Sequence, residues 1–173
     1  MEFPTLFHHG AVRGVTGSCH QLHLATGVSL LVDCGLEQGP DAIPQADPAA
    51  LTFDIEGVCA LIITHVHLDH VGRIPALLAA GYRGPILCSE PSAKLLPLVL
   101  EDAYRLGISS DPAHVSTYLE LVSTLLVPLP FEQWHTVLEQ PDISCRVRLQ
   151  RAGHLLGSAY VECEMQDGQT SGS

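Results

Sequence analysis

Hydrophobic positions along this chain change period several times, and each change marks a predicted element. Residues 11–34 alternate glycine-bearing turns with β-prone runs. Gln21-Leu22-His23-Leu24 passes through Thr26-Gly27 into Val28-Ser29-Leu30-Leu31-Val32-Asp33, which predicts a hairpin. Residues 38–48 hold Gly39, Pro40, Pro44 and Pro48 among polar positions and read as a loop with room for one helical turn. The continuous apolar run 58–64 predicts a strand buried on both faces. A periodic segment opening at Ile74, with Pro75 suited to a first turn, predicts a short helix that stops at Gly81.

Gly84-Pro85-Ile86-Leu87-Cys88 predicts a second buried strand. Ser89-Glu90-Pro91 then opens a helix with Leu95, Leu96, Leu98, Val99, Ala103 and Leu106 at helical spacing. Helices are expected over 112–126 and, shorter, over 132–138, followed by strands at 144–150 and 159–164. Strand and helix in alternation imply an α/β layer. No internal repeat is present, and the polar, glycine-rich stretch 166–173 reads as a flexible tail, leaving 1–165 as one domain.

Composition narrows the class. The 173 residues suffice for one domain with an apolar core, and 46% hydrophobic against 16% charged residues suits a packed body. Lys plus Arg number 8 against 19 Asp plus Glu, a formal charge of −11, so the average field repels a phosphate backbone and weak nucleic-acid binding is expected of the chain on its own. The opening Met1-Glu2-Phe3-Pro4 has no basic leader, and the apolar run 58–63 is too short to cross a bilayer. A cytoplasmic protein without a membrane partner is expected. Six cysteines lack any C-x-x-C pair and sit mostly in strand-like runs, so buried free thiols are expected rather than disulfides.

Chemistry concentrates directly after the 58–64 strand, in His65-Val66-His67-Leu68-Asp69-His70-Val71-Gly72-Arg73. If the extended conformation persists, its period of two points His65, His67 and Asp69 to one side. His70 has the opposite parity and reaches the same place only through a turn, which Gly72 and Pro75 favour; two neighbouring metal pockets result. Neutral imidazole and carboxylate are ligands for zinc or another borderline divalent ion, and an open position admits a water whose pKa falls to about 7. The competing reading is a set of ordinary loop histidines in a chain that has 10. It fits His8, His9, His20, His23, His114 and His135, which show no ligand spacing and are expected to be structural or solvated.

Residues 64–70 resemble the signature of the metallo-β-lactamase superfamily. Leu31-Val32-Asp33-Cys34-Gly35 resembles its early strand-end aspartate, and Ala152-Gly153-His154 its later histidine. Gly17-Ser18-Cys19, His70-Val71-Gly72-Arg73-Ile74-Pro75 and Ala152-Gly153-His154-Leu155-Leu156-Gly157-Ser158-Ala159 are similar to the β-CASP group, whose members process RNA 3′ ends or degrade RNA, and some of which act on DNA. The resemblance implies an α/β chain folded as an αββα sandwich, with zinc as cofactor and RNA as partner. It assigns His65, His67 and His154 to a first zinc, Asp69 and His70 to a second and to catalysis, and Asp33 to hydrogen-bonding support of the histidine loop. The implied reaction is phosphodiester hydrolysis by zinc-activated water, as in an RNA exonuclease or endonuclease.

The family's bridging aspartate, the β-CASP insertion and a late histidine-bearing segment do not appear before Ser173. The expectations that follow are a second zinc held weakly or incompletely, little or no hydrolysis by this chain alone, and a sandwich incomplete on its C-terminal side. An uncovered sheet face would then favour a homodimer or other self-association. Two other functions stay open: a hydrolase of small esters, thioesters or lactams, which H-x-H-x-D-H serves equally, and a non-catalytic metal-binding or interaction module.

Overall fold

Two faces of one parallel strand organise the molecule. Described here from a computed structural model are residues 3–12, 14–37 and 51–167. In chain order the first half comprises β1 (Thr5–His8), β2 (His20–Ala25), β3 (Val28–Val32), β4 (Val58–Ile62), α1 (Leu68–Val71), α2 (Ile74–Ala79) and β5 (Ile86–Ser89). The second half comprises α3 (Glu90–Gly107), α4 (Pro112–Leu125), β6 (Leu126–Leu129), β7 (Trp134–Gln140), β8 (Ile143–Arg151) and β9 (Ala159–Asp167). The first six strands form one sheet in sequence order, antiparallel from β1 to β3 and parallel from β3 to β6. Strands β7, β8 and β9 form a separate antiparallel sheet.

On β4, Ala60 and Ile62 face the second sheet while Leu61 and the following Ile63 face the helices. Alternation along the strand therefore feeds two cores, which is why this run is apolar throughout. Between the sheets, Leu24, Leu30, Ile62 and Leu87 pack against Cys145, Val147, Leu149 and Ala159. On the other side, Leu31, Leu61, Ile63 and Ile86 receive Leu77, Leu96, Leu100 and Val122 from the helices. Helices, six-stranded sheet and three-stranded sheet are three successive layers of an αββα sandwich. The helices are capped as their sequences demand: the Ser89 side chain accepts from the Ser92 amide to start α3, and Asp111 accepts from the Ala113 amide to start α4.

Several expectations are corrected. Residues 132–138 do not form a helix; β7 occupies Trp134–Gln140. Strands β1 and β6 were not legible in the pattern, and α1 begins at Leu68, before the turn expected after His70. Strand β9 runs through Asp167, two residues into the stretch read as tail, while 168–173 and the 38–48 loop lie outside the described residues. The six cysteines are free, but only four are buried: Cys59 is half-buried and Cys163 is exposed. Among the described residues, no helix is long and apolar enough to cross a membrane.

Strand β9 pairs with β8 on one edge, and among the described residues nothing pairs with its other edge. Beside that edge runs a trough of about 590 Å³, lined by Leu22, Leu30, Val32 and Ile62 of the first sheet and by Ala159, Val161 and Cys163 of β9. One end of the trough opens onto Asp33, His65, His70 and His154.

Candidate metal centre

Parallel pairing of β3 with β4 sets the ends of both strands side by side, and the chemistry collects there. The Asp33 amide donates to the Ile62 carbonyl at 2.9 Å, which brings the Asp33 carboxylate, 1% exposed, beneath the chain leaving β4. Its oxygens accept from the Thr64 amide (2.8 Å), the Thr64 hydroxyl (2.9 Å) and the Ser18 hydroxyl (3.0 Å), and pair with His70 Nδ1 at 2.6 Å. Asp33 holds a φ of 59°, a left-handed conformation that Asp tolerates better than most residues. Spacing gave no role to Thr64 or Ser18, though both lie within the motifs; their hydroxyls satisfy a carboxylate that would otherwise be buried without donors.

After Ile63 the chain stays extended only as far as His67 (φ −67°, ψ 149°), then turns into α1. His65 and His67 thus share the predicted row, whereas Asp69 leaves it and sits on the helix beside His70, its Oδ2 3.7 Å from His70 Nε2. Close approach of the β3 exit to α1 fixes this turn. The Cys34 amide donates to the His70 carbonyl, the Ser18 amide to the Asp69 carbonyl and the Leu36 amide to the Leu68 carbonyl, all within 2.9 Å. Because Asp33 takes the Nδ1 side of His70, Nε2 is the nitrogen left facing Asp69.

His154 arrives from the turn between β8 and β9. Its Nε2 lies 3.3 Å from His67 Nδ1 across 87 residues of sequence. The rings of His65 and His154 stand edge to face with centroids 4.9 Å apart. The donor atoms of His65, His67 and His154 all fall within 4.8 Å of one another; His65 is buried and the other two are exposed. A tetrahedral zinc with bonds of about 2.0–2.1 Å separates its nitrogen ligands by about 3.3 Å, so this donor set and spacing fit a metal ion. Asp69 and His70 lie outside that tight group, with the His70 ring centroid 3.8 Å from that of His65.

Electrostatics divides the histidines. Burial pushes His65 down to about 4, reinforced by His70, His67 and His154 and opposed by Asp33. Burial also acts to lower His70, but the Asp33 hydrogen bond and the charges of Asp33 and Asp69 outweigh it and leave His70 raised. Of the remaining histidines, His8 and His20 share a hydrogen bond through their Nδ1 atoms, His9 bonds Gln21 and stacks on Phe53, and His114 contacts Ser109.

The model of the family described as the metallo-beta-lactamase superfamily matches residues 22–169. The chain belongs to that superfamily. A solved metallo-beta-lactamase of Cronobacter sakazakii shares the fold, with a TM-score of 0.52 at 16% identity over 91% of this chain and 51% of that one. Among curated relatives of this metallo-beta-lactamase domain, a ribonuclease of Thermus thermophilus is 41% identical over 88% of the chain and 33% of its own length. The transcription termination factor FttA of Methanococcus maripaludis is 32% identical over 92% of the chain and 25% of its own. A cleavage and polyadenylation specificity factor subunit 3-II of Arabidopsis thaliana is 30% identical over 91% and 26%. The chain therefore spans about a quarter to a third of the length of these relatives, which agree with the RNA-processing branch that its motifs resemble.

Proposed function

We propose that this domain is a metal-dependent hydrolase of nuclease type, with His65, His67 and His154 holding a zinc ion and Asp69 with His70 offering a second, weaker position. The observation that carries the reading is the convergence of three imidazole donors from segments 87 residues apart to within 4.8 Å of one another, a spacing that would suit one ion. Bound there, zinc supplies a Lewis acid and lowers the pKa of water. The chain's own residues do the rest. Burial keeps His65 neutral well below pH 7, ready to offer a lone pair, and Asp33 fixes the Nδ1 proton of His70 so that its Nε2 is presented beside Asp69.

RNA as substrate is supported by the ribonuclease and the cleavage factor subunit among the relatives. A charge of −11 and the apolar trough meeting the histidines favour, as a second reading, a small ester, thioester or lactam. Incubating the zinc-loaded chain with labelled single-stranded RNA and, separately, with a chromogenic thioester or lactam separates the two. The expected outcome is slow RNA cleavage that His67→Ala abolishes. Turnover of the small substrate alone transfers the assignment to the second reading, and zinc binding without turnover of either leaves a metal-binding module.

A further inference from the structure

An exposed histidine of the candidate metal centre is held by a buried hydrogen-bond cluster. His154 is exposed, so packing around its ring does little to fix it. Its backbone is fixed instead. The Ser158 hydroxyl accepts from the His154 amide (3.0 Å) and the Leu155 amide (3.1 Å), and the Ser158 amide donates to the Leu155 carbonyl, closing residues 154–158 into one unit. That unit is closed at its base by the Ala152 amide, which donates to the Ser158 carbonyl at 3.1 Å, and is fastened to the rest of the fold at two further points. The Ala159 amide donates to the Thr64 carbonyl at 2.8 Å, tying it to the His65 segment. The Gly157 carbonyl accepts from two hydroxyls at the start of α3, Ser89 at 2.6 Å and Ser92 at 3.0 Å, and both serines are 0% exposed.

Gly157 is suited to this seat. Its φ is +88°, and a Cβ there would lie 2.6 Å from Ser92 Oγ and 2.7 Å from Ser92 N, so no side chain fits between the turn and the helix. The carbonyl it presents also meets the positive end of an 18-residue helix. Only one of the two hydroxyls is needed to start α3, because the amide of Ser92 is capped by Ser89. The Ser92 hydroxyl makes its bond to the Gly157 carbonyl and serves no cap.

We propose that Ser92, with Ser89, is a positioning device for the third histidine: the paired hydroxyls clamp the Gly157 carbonyl and thereby set His154 at ligand distance from His65 and His67. The inference rests on the metal-centre reading above and deepens it. Without the clamp the turn keeps its internal bonds, its base at Ala152 and its link to Thr64, but its far end is released from α3, and an exposed ligand is left without that support.

The test is metal affinity in the full chain. Zinc is titrated in competition with a chromophoric chelator, and cobalt(II) is substituted to read geometry from its visible absorption. Ser92→Ala leaves the α3 cap intact and should weaken zinc on the order of 10-fold, the lower end of what lost supporting contacts do to metal sites. Its cobalt spectrum should lose the intensity typical of four-coordination. His154→Ala should weaken zinc further, and Ser92→Ala added to His154→Ala should cost nothing more. Ser89→Ala, which removes the shorter bond, serves as a second variant if Ser92→Ala does not fold by circular dichroism. Wild-type affinity and cobalt spectrum in a folded Ser92→Ala or Ser89→Ala variant overturn the inference while leaving the metal centre standing. A wild-type chain indifferent to His67→Ala overturns the metal centre and the clamp with it.

Discussion

At the scale of single residues, the centre is assembled by donors chosen for protonation state as much as for position. His65 is kept neutral by burial, which suits a metal ligand but has a cost when acid is added. Its folded value of about 4 lies below the 6.5 of an unfolded histidine, so between those values the unfolded chain binds the extra proton. The stability this group contributes is complete above pH 6.5 and is lost as pH falls toward 4. His9 and His20, also lowered by burial, act in the same sense. His70 acts oppositely: raised, it contributes stability below pH 6.5 that is lost as pH rises through its folded value. With three groups against one, the metal-free chain should melt at lower temperature at pH 5 than at pH 7.5. His65→Ala should show a smaller difference between the two pH values, and equal differences in both proteins would mean that His65 is not the group responsible.

At the scale of elements, the close contact between the β3 exit and α1 decides whether Asp33 and the histidines meet. Gly35 packs directly on the Asp69 carbonyl, where an added Cβ would overlap the backbone of Asp69 and His70. Gly35→Ala should therefore cost several kcal/mol, of order 3 or more, measurable by urea denaturation. The variant should also lose zinc affinity, because α1 is displaced from Asp33. Much of this arrangement was readable beforehand: the β2–β3 hairpin, the two-faced strand β4, the capped start of α3 and the cluster at residues 65–70 each carry their own local signal. What misled was a local signal with two solutions. In β7 a bulge between Thr136 and Leu138 breaks the alternation, so Trp134, Val137 and Leu138 fall at helical spacing although they lie on a strand. Pro128 hid β6, since proline argues against a strand except at a sheet edge, which is where β6 lies among the described residues. The tie from α3 to the Gly157 carbonyl joins residues 65 and 68 positions apart, and no local pattern announces it.

At the scale of the whole molecule, charge and an open edge govern what the chain meets in solution. Three of its 8 basic residues, Arg146, Arg148 and Arg151, lie on β8, but they pair with Glu164, Glu162 and, more loosely, Glu132, so this sheet offers little free positive charge to a phosphate backbone. Self-association is the stronger expectation. Among the described residues, the edge of β9 away from β8 has no strand partner and borders an apolar trough, the combination that invites another strand to add on. A second copy would supply both a strand and apolar side chains, and on this expectation the mass from light scattering should exceed 18.5 kDa and rise with concentration. Val161→Lys places a charge on the trough wall and should shift the chain toward monomer, since burying an unpaired ammonium opposes docking. A wild-type mass that stays at 18.5 kDa across the concentration range would overturn self-association through this face.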